Sequence, residues 1–200
     1  MQQTEFATPY PFNTAVLFLV FNRLDTTKQV FEAIREAKPT RLYIAADGAR
    51  ENRDNEDEKV KVVREYINEN IDWECEVKTL FRDNNLGCKM SVSGAIDWFF
   101  ENEEMGIILE DDCLPSQSFF WFCEELLEKY KNNENIGMIS GNNFFEENKL
   151  KDSYLFSYGN IWGWASWRRA WQSYEVRMEL WKNKSIQDSI KLFLNNDEIF

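Results

Sequence analysis

The chain has 200 residues, a formal net charge of −12, 44 % hydrophobic residues and no histidine. That length fits one large domain, or one domain and part of a second. The charge argues against nucleic acid and anionic membranes, which select basic patches, and the missing imidazole removes His-based general bases, Ser-His and Cys-His dyads, and zinc sites that need His.

Residues 1–14 carry neither the basic stretch nor the apolar core of a signal peptide and read as a flexible lead-in. The run "AVLFLVF" (15–21) follows; it is too short to span a bilayer and reads as a strand covered on both faces. Asp25 or Thr26 suits the start of a helix whose apolar positions Val30, Phe31, Ile34 and Ala37 recur at helical spacing until Pro39 stops it. "RLYIAA" (41–46) reads as a second strand. "ENRDNEDEK" reads as a solvated charge run, leading to a helix with Val60, Val63, Ile67 and Ile71 on one face. "CEVKTLF" (75–81) is a third strand, "SVSGAIDWFF" (91–100) a third helix, and "GIIL" (106–109) a fourth strand. A helix over 118–130 and a short strand, "IGMIS" (136–140), complete the alternation.

Strand and helix alternate with crossover-length connections, which predicts an α/β fold: a Rossmann-like, mostly parallel sheet with helices on both faces. Residues 15–141 form the expected nucleotide-binding portion. From residue 142 the texture changes to Asn, Gly and Trp, and 142–200 reads as an acceptor-side portion, incomplete at its C-terminus. Cys75, Cys88, Cys113 and Cys123 form no CxxC pair or zinc-finger spacing, which suggests a reducing compartment and a cytoplasmic protein.

Ligands of open α/β sheets bind outside the carboxyl ends of the strands, so the residues following each strand are the candidates. They are Asn22-Arg23, then Asp47-Gly48, then "RDNNLGCK" with Lys89 just past Gly87, then Glu110, Asp111 and Asp112. Three adjacent carboxylates repel one another, and a hard divalent cation relieves that repulsion; without His or paired Cys, Mg²⁺ or Mn²⁺ is the expected ion. Each candidate has a plain structural alternative. The acids suit a helix entrance, Arg23 a surface position and Asp47 a turn, whereas Lys89 at a helix start suits phosphate. Trp162, Trp164, Trp167 and Trp171 suit either a core or a sugar platform, and "GWASW" (163–167) is Gly-flanked and reads as a loop.

"VLFLVFNR", "IAADG", "NLGCK", "AIDWFF", "GIILEDDC" and "GNIWGWASWRRAW" together resemble the GT-A glycosyltransferases related to the eukaryotic β-1,2-N-acetylglucosaminyltransferase of N-glycan maturation. More closely they resemble bacterial nucleotide-diphospho-sugar transferases of the family-2-like kind, over about residues 15–182. The resemblance implies an inverting, metal-dependent transfer of a sugar from a nucleotide diphosphate, UDP by preference, to a glycan or other acceptor hydroxyl. It implies that Arg23 and Asp47 hold the nucleotide, that Glu110 and Asp111 contact ribose or sugar, and that Asp112 ligates Mn²⁺ or Mg²⁺. The segment with Trp162 and Trp164 would face donor sugar and acceptor. The family's catalytic-base Asp lies in a "WD"-like element, which "NNDEIF" with Asp197 and Glu198 does not match; the base is expected beyond residue 200. Two alternatives stand beside this reading, a sugar-nucleotidyltransferase and a non-catalytic carbohydrate-binding module.

Overall fold

A computed structural model describes residues 6–142 and 159–194. The apolar runs become strands β1 (Val16–Val20), β2 (Arg41–Ala46), β3 (Glu76–Phe81), β4 (Met105–Glu110), β5 (Met138–Ser140) and β6 (Trp164–Trp167). They form one sheet in the order β3-β2-β1-β4-β6-β5. The pairs β1–β2, β2–β3 and β1–β4 are parallel, whereas β6 runs antiparallel to both β4 and β5. Helices α1 (Leu24–Ala37), α2 (Glu56–Asn70), α3 (Gly87–Asn102) and α4 (Gln117–Tyr130) join the strands. A short α5 (Arg168–Trp171), a 3-10 turn over Glu179–Lys182 and α6 (Lys184–Leu194) follow.

The two faces follow from period-2 alternation. Val16, Phe18, Val20, Ile107 and Leu109 point to one core, shared with Phe31 and Ile34 of α1, Val63 and Ile67 of α2, and Phe120 and Leu127 of α4. Leu17, Leu19 and Ile108 point to the other, against Ile96, Phe99 and Phe100 of α3. Right-handed crossovers explain where α1, α2 and α3 lie; α4 leads outward from β4 to the parallel β5 yet packs on the α1 face, and does not follow that rule. The chain steps outward from β1 to β3 with α1 and α2 on one face, then reverses across the sheet to β4, which puts α3 on the opposite face. Fully buried Phe18, Phe31, Phe99 and Phe120 each stabilise the fold by about 1.5–3 kcal/mol. The edge strand β3 is the least covered of the six, with Glu76, Val77 and Thr79 exposed.

Three expectations change. The end of the lead-in is anchored while residues 6–11 stay exposed: Phe12 lies against Phe120 and Trp121, and Glu124 accepts the N–H groups of Asn13 and Thr14. The aromatic content of residues 6–14 gives them apolar surface to bury. "GWASW" is not a loop but β6, inserted between β4 and β5 with Ile108 beside Trp164 and Ser140 beside Trp164. Glu56 leaves its solvated acidic run and is buried. Among the described residues no helix is long and apolar enough to cross a membrane.

Candidate functional site

The direction of travel reverses between β1 and β4, the kind of point at which open α/β sheets hold their ligands. Arg23 follows β1 and Asp111-Asp112 follow β4, and the structure brings them together. The Arg23 guanidinium donates through Nη2 to Asp111 Oδ1 and sits 3.0 Å through Nη1 from Asp112 Oδ2. The Asp111 side chain is 4 % exposed, that of Asp112 47 %. Asp111 Oδ2 is buried without a hydrogen-bond partner. Burial pushes the Asp111 carboxyl above its ordinary range, against the hydrogen bond from Arg23, while Arg23 is held above its own by the bond to Asp111.

The three acids do not converge. Glu110 is the last residue of β4 and continues the alternation set by Ile108 toward the α3 face; burial, then Asp112, pushes its carboxyl up. No group of three His, Cys, Asp or Glu side chains among the described residues gathers as a metal cage. A divalent cation here would therefore meet one half-exposed carboxylate, Asp112, and fill its other positions with water and the oxygens of a ligand. Mg²⁺ bound beside substrate phosphates takes that donor set, and in this respect the residues fit the expected ion.

Asp112 also borders a cleft of about 450 Å³ whose far wall comes from the ends of β5 and β6, with Phe119, Asn142, Trp162 and Gly163. Gly163 has φ +73°, a left-handed turn that favours glycine and swings the chain from the exposed Trp162 (62 % accessible) into β6. Trp164, 8 % accessible, lies on the inner face with α3 and belongs to the core. Trp167 is buried on the opposite face, its indole N–H donating to Leu127 O at 3.1 Å. Of the Trp series, Trp162 reaches the cleft. Cys113, beside Asp112, has its thiol pushed up to about 11, chiefly by burial.

Asp47 and Lys89 lie at the start of α3. The Asp47 carboxylate accepts the backbone N–H groups of Gly48, Leu86 and Gly87 at 3.0–3.1 Å. The helix-terminal N–H groups expected to face phosphate are thus bonded to Asp47, and Lys89 is exposed in the first turn. Gly48 is more than a turn residue: a Cβ there would lie 2.5 Å from the Asn84 backbone carbon, so only glycine lets the two loops pass.

Sequence reasoning missed Glu56. It accepts Asn22 Nδ2 at 2.9 Å, the Arg50 N–H at 2.8 Å and the Arg50 guanidinium, and so ties the loop after β2 to the residue before Arg23. The bond from Arg50 holds its carboxyl down to about 2. Its place in an acidic run hid it; no local signal marks it.

An α/β sheet with charged groups gathered at its carboxyl edge defines a Rossmann-like protein. No protein-family model matches the chain, and no curated protein does. Among solved structures the chain is similar to a 4-diphosphocytidyl-2C-methyl-D-erythritol synthase from Anaerococcus prevotii. The identity is 10 % and the TM-score 0.46, over 92 % of this chain and 84 % of that one. A likeness at that level carries no argument about activity.

Proposed function

We propose that this chain is a cytoplasmic glycosyltransferase moving a sugar from a nucleotide diphosphate, UDP by preference, to an acceptor hydroxyl with inversion. The observation that carries the reading is the pairing of Arg23 with Asp111 and Asp112 at the β1–β4 reversal, where Asp112 also borders a cleft that presents Trp162. Asp112 would hold Mn²⁺ or Mg²⁺, which supplies Lewis-acid neutralisation of the leaving diphosphate. Arg23 adds positive charge beside it, where partial burial strengthens the contact. Asp47 acts by fixing the start of α3, Glu110 and Asp111 border the ribose or sugar, and Lys89 faces solvent from which an anion arrives. Trp162 offers a flat face to a sugar ring. With no imidazole, the acceptor proton passes to a carboxylate; Asp197 and Glu198 lie outside the described residues, and no described carboxylate is assigned that role.

A melting screen tests this. With Mn²⁺ present, UDP at a hundred times its Kd should raise Tm by about 5–10 °C, with no rise when Mn²⁺ is omitted. Asp112→Ala should abolish the shift; an unchanged shift in that variant overturns the reading.

Sugar-nucleotidyl transfer on a similar sheet is the second reading. Against it, the segment after β1, "FNRLDTTKQ", which runs into α1, holds no glycine to cradle a triphosphate. Pyrophosphate released from a nucleoside triphosphate and a sugar phosphate would establish it, whereas release of UDP from a UDP-sugar would establish the first. A shift with glycans and none with nucleotides would favour a binding module.

A further inference from the structure

We propose that Arg23 makes the cation site conditional on the anion: its guanidinium occupies the seat beside Asp111 and Asp112, so a divalent cation binds firmly only together with a diphosphate. This rests on the nucleotide-sugar reading above and adds an order of assembly to it.

One guanidinium serves two carboxylates, the buried Asp111 and the half-exposed Asp112. It cannot simply leave. Asp111 has its second oxygen buried without a partner and, among the described residues, is stabilised besides Arg23 only by the Phe21 backbone and by no other cation, so a departing Arg23 would leave a buried carboxylate without its counter-charge. Asp112 Oδ2 is engaged by Nη1 at 3.0 Å, and among the described residues Oδ1 accepts only the weak Cys113 thiol at 3.6 Å. A cation arriving at Asp112 must then stand within a few ångströms of a fixed positive charge. Like charges repel strongly at that range in a partly dried site. A diphosphate changes the balance, because its oxygens bind cation and guanidinium at once and both can stay. Coupling of this kind is reciprocal: whatever factor the diphosphate adds to cation affinity, the cation adds to diphosphate affinity.

The test is the binding of Mn²⁺, followed by the paramagnetic resonance of the free ion, with Mn²⁺ alone and with UDP added. Three proteins are compared: the wild type, Arg23→Gln, and Arg23→Gln combined with Asp111→Asn, which removes the stranded carboxylate and keeps the comparison valid if the single variant does not fold. Without nucleotide, either variant should bind Mn²⁺ at least tenfold more tightly than the wild type. UDP should tighten Mn²⁺ binding in the wild type by a larger factor than in the variants. Wild type that binds bare Mn²⁺ as tightly as the variants overturns the inference. A gain in the variants with no effect of UDP on any protein supports the competition by Arg23 and overturns the donor reading instead.

Discussion

Glu56 and Asp47 are single carboxylates whose partners lie on other segments, and both hold loops at the sheet edge. Glu56 has a folded-state pKa of about 2, below the ordinary 4.5. Its contribution to stability is therefore present above about pH 4.5 and is lost as pH falls toward 2. Glu56→Gln should lower stability at neutral pH and flatten the acid limb between those values, as urea titrations at stepped pH will show. Asp47→Ala should cost about 1.5–3 kcal/mol, because it leaves the Leu86 and Gly87 N–H groups without their charged acceptor. Urea unfolding without any ligand measures it, and a loss seen there belongs to the fold and not to nucleotide contact. Arg23, Asp111 and Asp112 were legible because the end of an apolar strand is a predictable place. Glu56 and the duties of Asp47 were not, because a contact such as that from Asp47 to Leu86 joins positions on separate elements and leaves no periodicity behind.

At the level of elements, the pair Arg168-Arg169 after β6 ties down two helices on opposite faces of the sheet. Arg168 Nε donates to the carbonyls of Phe100 and Glu103 at the end of α3. Arg169 donates to those of Tyr130 and Lys131 at the end of α4. These carbonyls have no intrahelical partner, so Arg168→Ala should speed hydrogen exchange at the C-terminus of α3 alone, and Arg169→Ala at that of α4 alone, each for about 1 kcal/mol of stability. Gly48→Ala should cost about 1–3 kcal/mol by forcing the loops after β2 and β3 apart. The parallel strands could be read from sequence as continuous apolar runs flanked by helical spacing. β6 could not: four residues between a left-handed glycine and two arginines, with a Trp on each face, look like a loop until β4 and β5 are placed beside them.

Across the whole molecule the charge of −12 sets a background that repels a free nucleotide, and salt screens such repulsion over about 10 Å at 0.1 M. Under the proposed function, UDP without metal should therefore bind more tightly as ionic strength rises, the opposite of a basic nucleotide-binding surface; titration calorimetry in stepped NaCl checks the sign. The α/β architecture was legible as a whole because alternation of runs is a global pattern. The cleft was not, since its far wall depends on an antiparallel strand returning beside β4. That return has a consequence for tailoring the protein. Ser140 pairs with Trp164, so the chain quits the sheet and rejoins it at neighbouring points beside the cleft that Asp112 borders. Exchanging Asn142 and Trp162, which flank those anchors, asks nothing of the strand order, so new selectivity can be introduced along the cleft wall while the hydrogen-bonded platform beneath stays as it is.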